Sequence, residues 1–477
     1  MPKATERTRR VRSAPVRVGQ RIARPGRLHT GGHSAGAAVL ALMTAGLAGC
    51  ARYTPAPLVA AATLAPGLGS VAGVPAGPLS IAQVMALAVE RDPVLVAART
   101  KAGVANAQIV QAGVLPNPVL SGALLPLISG VGVVPAWNVG LAQDVKAILI
   151  YKPKRRAARD SAGQVRADLL WQEWQVASEA RRLALDIDAR DRERPLLAQA
   201  FDLLSHRHSV TQAALAEGNA TLVMVAPSAV AFQQARANLQ ALDQAQLQAR
   251  HQLNVLLALE PDATVPLAPS QPPPLDTATV RAAIPALPSR RPDLLALRYG
   301  YAAQDETLRA AILSQFPDLI LGASASSDSS RVINAGPSGQ LGLPVFDRNQ
   351  GNVAIARATR EQLRTEYAAR LAITAGEVGA LLAEWEQLRV QLAVVERDLP
   401  AARLAAARAS AAFGASALDE RAYVDLVTNR FTKEQEVLTL NLALLDRQVA
   451  IEALIGAGLP QVDTLGLPDP KVVGQAR

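Results

Sequence analysis

The chain has 477 residues, half of them hydrophobic and only 3% aromatic, with a formal net charge of +9. Nine Lys or Arg (Lys3, Arg7, Arg9, Arg10, Arg12, Arg17, Arg21, Arg24 and Arg27) stand against the single acid Glu6 in residues 1–49, leaving a balance of +1 for the rest. A basic charge confined to a leader excludes nucleic acid as a partner of the folded part, and a single cysteine excludes a disulfide framework or a multi-cysteine metal site. Few aromatics and abundant Ala, Leu, Arg, Gln and Glu point to long packed helices.

Residues 1–49 read as a signal peptide: a basic n-region, an apolar stretch from Ala35 to Gly46, then Leu47-Ala48-Gly49 before Cys50. The stretch resembles a bacterial lipoprotein signal. That resemblance implies lipidation of the Cys50 thiol, cleavage just before it and, with Ala51 following, sorting to the outer membrane. No later stretch of about 20 uninterrupted apolar residues predicts a transmembrane helix.

Residues 50–78, rich in Ala, Pro and Gly, read as a flexible N-terminal segment. From Leu79 the apolar spacing turns helical, with Ser80 as N-cap, a break at Asp92-Pro93 and a stop at Leu115-Pro116-Asn117-Pro118. Strands are predicted near 118–128 and 137–147, around a Gly/Val/Pro loop at 129–136. A helical pattern then fills 154–215, interrupted by Pro195, where the missing N–H should kink it. Glu217-Gly218-Asn219 forms a turn, and a second long helix runs over 221–259. This first repeat, 79–259, is followed by a Pro-rich linker at 260–290.

The order then recurs in a second repeat, 291–458, before a C-terminal tail at 459–477. Pro93 and Pro118 are 25 residues apart, as are Pro292 and Pro317, so the halves superpose at an offset of 199. The second half predicts a helix to Gln315, strands near 317–326 and 338–346, a long helix over 348–412, a turn at Gly414 and a last helix over 421–456. Helix, hairpin, long helix, glycine turn and long helix repeated in one order define an internal duplication.

Strand segments of about ten residues are long enough to cross a bilayer as tilted strands. Four of them cannot close a barrel, and an open edge is not tolerated in lipid, so the chain must borrow strands from copies of itself. Trp137, Tyr151, Phe316 and Phe346, at the ends of the strand segments, are candidates for an interfacial aromatic girdle. Apolar stripes (Leu169, Trp174, Leu183 and Ile187 in one long helix; Val378, Leu382, Trp385 and Leu388 in the other) would pack the helices along their length.

Over residues 79–458 the chain resembles the TolC family of outer-membrane efflux proteins. The resemblance is carried by Arg91-Asp92-Pro93 with Leu95, Ala107 and Pro118, by Arg291-Pro292-Asp293-Leu294 with Phe316-Pro317, by Leu343-Pro344-Val345-Phe346, and by Gly218 and Gly414. Asp347-Arg348-Asn349-Gln350-Gly351-Asn352 is most similar to the cation-efflux branch. The family implies a mainly α protein with a small membrane β-part: a homotrimer with a twelve-stranded β-barrel continuous with an α-helical periplasmic tunnel. It also implies a periplasmic adaptor and an inner-membrane pump, expected to be proton-driven, as partners. The function expected is passive conduction of divalent metal cations or drugs to the exterior. The alternative, a periplasmic adaptor or coiled-coil scaffold lipoprotein, would need one helical hairpin flanked by β-rich segments rather than two hairpins each behind a strand pair.

No P-loop or dinucleotide glycine pattern is present, and Gly322-Ala323-Ser324-Ala325-Ser326 misses a nucleophile elbow, so neither an enzyme nor a cofactor is expected. His206 and His208 stand two apart on a helix and diverge by about 200°, a poor metal chelate. Asp419, Glu420 and Asp425 near the second helical turn are the candidate periplasmic gate: three copies around one axis would form a narrow ring that attracts cations. The spacing from Gly414 to Asp425 is longer than the family's, so its gate carboxylates are not carried over.

Overall fold

A computed structural model describes residues 53–459 except 76 and 271. The signal peptide, Cys50 and the tail beyond Leu459 lie outside the described residues. The chain forms two units, Met1–Ala62 and Thr63–Arg477; residues 53–62 of the first carry no regular secondary structure.

In the second unit, α1 (Ile81–Arg91) opens on a capping box in which Gln83 N donates to Ser80 Oγ and Ser80 N donates to Gln83 Oε1. Asp92 ends α1 and begins α2 (Pro93–Ala112) by accepting from Leu95 N at 2.9 Å, with Pro93 pre-set at the first helical position. Strands β1 (Val119–Leu125) and β2 (Ala136–Asp144) lead into α3 (Lys146–Ala216), which turns into α4 (Leu222–Leu256). After the short helices α5 (Thr277–Ala283) and α6 (Leu287–Arg290) come α7 (Pro292–Leu313), β3 (Leu319–Ser327), β4 (Ile333–Leu341), α8 (Gln350–Gly414) and α9 (Glu420–Leu454).

The core is duplicated like the sequence. In the first repeat Val84 of α1, Leu183 of α3 and Leu253 of α4 share one buried cluster. In the second, Ala283 of α5, Leu382 of α8 and Ile451 of α9 share another. Val84 and Ala283, like Leu183 and Leu382, are separated by the same 199 residues. Each repeat is also tied by an arginine to the end of its last helix: Arg91 Nε donates to the Leu257 carbonyl at 2.9 Å, and Arg291 to the Leu454 carbonyl at 3.0 Å. Such carbonyls lack intrahelical donors, and a cation there also meets the negative end of the helix dipole.

Four expectations need correction. The helical pattern expected to be interrupted at Pro195 is one continuous helix, α3, which passes through both Pro153 and Pro195. Packing of Ala200 and Leu204 against α4, α8 and α9 supports the helix just past Pro195 and offsets the missing N–H. Residues 277–290, read as part of a linker, are mostly helical and bury Val280, Ala283 and Leu287. The helix α5 is the counterpart of α1, and Pro285 and Pro288 open turns instead of preventing them. Part of the segment read as flexible, 50–78, is docked: Ala65 N donates to Ala258 O at 3.0 Å, and Leu68, Val71 and Val74 pack against the first core cluster.

The fourth concerns β4, which spans Ile333–Leu341 and not 338–346, so Leu343-Pro344-Val345-Phe346 follows the strand. Pro337, which lies between the strands expected near 317–326 and 338–346, pairs with Ala323 inside the strand. The ladder explains why proline fits. Gly342 N donates to Asp318 O and Asp328 N to Val332 O, so the even-numbered residues of β4 bond to β3. The nitrogen of Pro337 therefore faces the open edge, where no ladder bond is lost within the chain.

Candidate functional site

The four strands form one antiparallel sheet in the order β1-β2-β3-β4, with β1 and β4 at its edges. Register and alternation fix which side chains share a face. One face carries Leu120 and Leu124 of β1, Trp137, Val139 and Leu141 of β2, Leu319, Leu321, Ala323 and Ala325 of β3, and Ile333, Ala335, Pro337 and Leu341 of β4, with the polar Gln143 and Ser327 towards its two ends. The other carries Ser121, Asn138, Asp144, Ser324, Ser326, Asn334, Ser338 and Gln340, interrupted by Val119, Leu125 and Ile320 towards the strand ends. The apolar face is open in the single chain: Leu120 is 70% exposed, Ile333 69% and Leu341 55%. A sheet that shows water its apolar side lacks its proper solvent or its partner.

Among the described residues both edges are unpaired as well. Val145 N donates to Leu319 O, which sets the parity of β2 and, through it, of β1: the backbone groups of Leu120, Gly122 and Leu124 point away from β2. On the far edge, those of Ile333, Ala335, Gly339 and Leu341 point away from β3. Successive strands alternate in direction, so β1 and β4 run opposite ways and can pair as antiparallel neighbours in separate copies. Gly322, in the sequence that misses a nucleophile elbow, lies within β3, where an added Cβ would collide with the Leu141 carbonyl.

The joints between sheet and helices are pinned. Lys146 Nζ is 2.7 Å from Asp318, and Asp144, just before the Val145 N-cap of α3, accepts from Ala147 N. Asp347–Asn349 leads into α8: Asn349 adopts a left-handed φ of 58°, accepts from Asn352 Nδ2 at 2.7 Å and donates through Nδ2 to Ala311 O at 2.8 Å. Asp347 accepts from Asn349 N at 2.7 Å. Of the aromatic candidates, Trp137 lies on the apolar face at the end of the sheet remote from the helices, and Phe316 and Phe346 are exposed beside the opposite end. Tyr151 is on α3 and donates to the Gly113 carbonyl.

At the far end of the long helices, the three candidate gate carboxylates have different partners. Asp419 caps α9, accepting from Ala422 N at 2.8 Å. Glu420 pairs with Arg207 of α3, whose Nε is 3.2 Å from its Oε1. Asp425 is exposed, 3.9 Å from Arg421. Arg207 was not singled out in the sequence; its guanidinium also lies 4.5 Å from the Phe413 ring centroid and 5.6 Å from that of Tyr423. It thus joins the first helical hairpin to the second. His208 stacks on Phe232 at 5.3 Å while His206 is exposed, so the two do not converge.

The hairpin turns match at Gly218 and Ser416. Gly218 has φ 77° and Ser416 φ 56°; Asn219 N donates to Ala214 O as Ala417 N donates to Ala412 O. Gly414, expected at the turn, is the last helical residue of α8.

Residues 283–457 match the family model described as outer membrane efflux protein. No curated protein sequence matches the chain. Among solved structures, a membrane protein from Pseudomonas aeruginosa superposes with a TM-score of 0.67 at 21% identity, covering 81% of this chain and 92% of that one. The CmeC outer membrane channel of Campylobacter jejuni gives 0.66 at 13% identity over 86% and 95% of the two chains. The open state of the MtrE outer membrane channel of Neisseria gonorrhoeae gives 0.62 at 17%, over 86% and 98%. The match to the family model is confined to residues 283–457, and the folded chain has the fold of these solved outer membrane channels.

Proposed function

We propose that the protein is the outer-membrane channel of a tripartite efflux system, working as a homotrimer in which three four-stranded sheets close a twelve-stranded barrel. The observation that carries this reading is the sheet: one face apolar, the other polar, both edges unpaired. A closed ring in lipid is the arrangement that satisfies all of these at once. The long helices would continue the wall into the periplasm, where a periplasmic adaptor and an inner-membrane pump dock. The Cys50 thiol would carry the lipid anchor.

Conduction would be passive. The polar strand face carries Asp144 and no Lys or Arg, which favours cations and neutral solutes over anions. Asp419, Glu420 and Asp425 would line the narrow periplasmic end. Reconstitution in a planar bilayer tests this: trimers should conduct with a cation-selective reversal potential, and an inability to conduct would contradict it. The cargo, divalent metals or drugs, would be separated by exposing a deletion strain to a panel of both.

A further inference from the structure

Just below the sheet, α3 carries Lys152, Arg155, Arg156 and Arg159, all exposed. Their spacing of i, i+3, i+4 and i+7 puts them on one side of the helix. Arg156 lies 3.7 Å from Glu306, while Lys152, Arg155 and Arg159 have neither a hydrogen bond nor an ion pair among the described residues. The helix has neighbours on two flanks. On one, Tyr151 donates to the Gly113 carbonyl of the chain leaving α2, and Arg166 donates to Asn106 of α2 at 2.8 Å. On the other, Gly163 abuts the Tyr299 ring of α7. The basic stripe lies between these flanks, on one of the two open sides.

Handedness decides which side. The odd-numbered residues of β2 carry the apolar face and bond to β3. Viewed from that face with the helices below, L-residues in this arrangement put β1 on the right and β3 on the left. With α2 and α7 on the same two flanks, a right-handed helix running downwards turns Lys152, Arg155 and Arg159 towards the same viewer. Ile148 and Leu149, 51% and 49% exposed, precede the stripe by one turn on the sheet side. The surface thus passes from apolar to basic on the side that the sheet would turn to lipid. At about 1.5 Å per residue, Lys152, Arg155 and Arg156 stand about 9 to 15 Å below the start of α3. A headgroup layer is about 5–8 Å deep and the Debye length is about 8 Å, so their charges act on that layer. The fold does not require them: the duplicated positions of α8, 199 residues on, are Gly351, Ala354, Ile355 and Ala358.

We propose that this side of α3 binds the phosphates of anionic phospholipid headgroups in the leaflet nearest the helices, holding the sheet at a fixed depth. The inference rests on the reading that the sheet lies in lipid. Four cations strung along about 10 Å of helix without a pocket suit a charged bilayer surface better than one enclosed anion. The test uses full-length protein in phosphatidylcholine bilayers with a trace of spin-labelled lipid, and electron spin resonance reads the fraction of label immobilised at the protein. Labelled phosphatidylglycerol should associate at least about threefold more strongly than labelled phosphatidylcholine, and added salt should shrink the difference. The triple variant Lys152→Gln, Arg155→Gln, Arg159→Gln should abolish the preference with the oligomer mass unchanged. Lys154→Gln, on the opposite side of the same turn, should keep it. The proposal alone is overturned if wild type immobilises both labels without preference, if the triple variant keeps the preference, or if Lys154→Gln loses it. It is also overturned if the triple variant dissociates the oligomer, since the stripe would then belong to a contact between copies. Wild type that immobilises neither label overturns the membrane reading together with the proposal.

Discussion

The guanidinium of Arg291 donates to the carbonyl of Leu454 over 3.0 Å, fastening the start of α7 to the last turn of α9. It also meets both carboxylate oxygens of Asp293, at 2.9 and 2.7 Å, and lies 4.5 Å from the Trp171 ring centroid. Only 4% of its side chain and 7% of Asp293's are exposed, so deleting the arginine leaves a buried carboxylate with only the longer 3.6 Å pair to Arg370. Arg291→Ala is expected to cost about 3–5 kcal/mol, measured by denaturant unfolding followed by circular dichroism. Arg291→Lys should recover less than half of that, because one ammonium cannot match the two carboxylate oxygens and the helix carbonyl together.

The two faces of the sheet should respond oppositely to charge. Leu321→Arg, on the apolar face of β3, would place a cation in hydrocarbon at about 2–4 kcal/mol if it lies near the midplane. Ser324→Arg, on the polar face, should be tolerated and shift selectivity towards anions. The yield of heat-modifiable oligomer in the outer-membrane fraction distinguishes the two, and equal yields would contradict the assignment of faces.

Arg207 and Glu420 hold the two hairpins together at their tips with side chains 18% and 11% exposed. A double-mutant cycle with Arg207→Ala and Glu420→Ala is expected to give a coupling of about 1–3 kcal/mol in unfolding. If the tip restricts the entrance, either single variant should also raise the bilayer conductance of the reconstituted protein. Coupling without a conductance change would mark the pair as structural only.

Ser416 occupies a left-handed position that glycine adopts freely. Ser416→Gly should stabilise the second hairpin by up to about 1 kcal/mol, and Gly218→Ala should destabilise the first by about as much. Thermal melts of the two variants should move in opposite directions.

Much of this fold was legible in the chain because its punctuation is repeated. The 25-residue proline intervals, the Ser80 cap and the Asp92-Pro93 break mark backbone positions with few alternatives. Several of the misreadings share a cause: proline was taken to interrupt regular structure. Pro195 sits in a helix held by its neighbours, Pro285 and Pro288 open helical turns, and Pro337 turns its nitrogen to an open edge. None of these contexts is local. The role of Arg207 was hidden likewise, since its partner Glu420 is 213 residues away. Glycine content misplaced the second turn, where the left-handed residue is a serine.

The central claim is that one chain supplies only part of a closed wall, its β1 and β4 edges being completed by other copies. Native mass spectrometry of the full-length protein released from outer membranes in mild detergent tests this most directly. The account predicts a complex of three chains; a stable, folded single chain under the same conditions would contradict it.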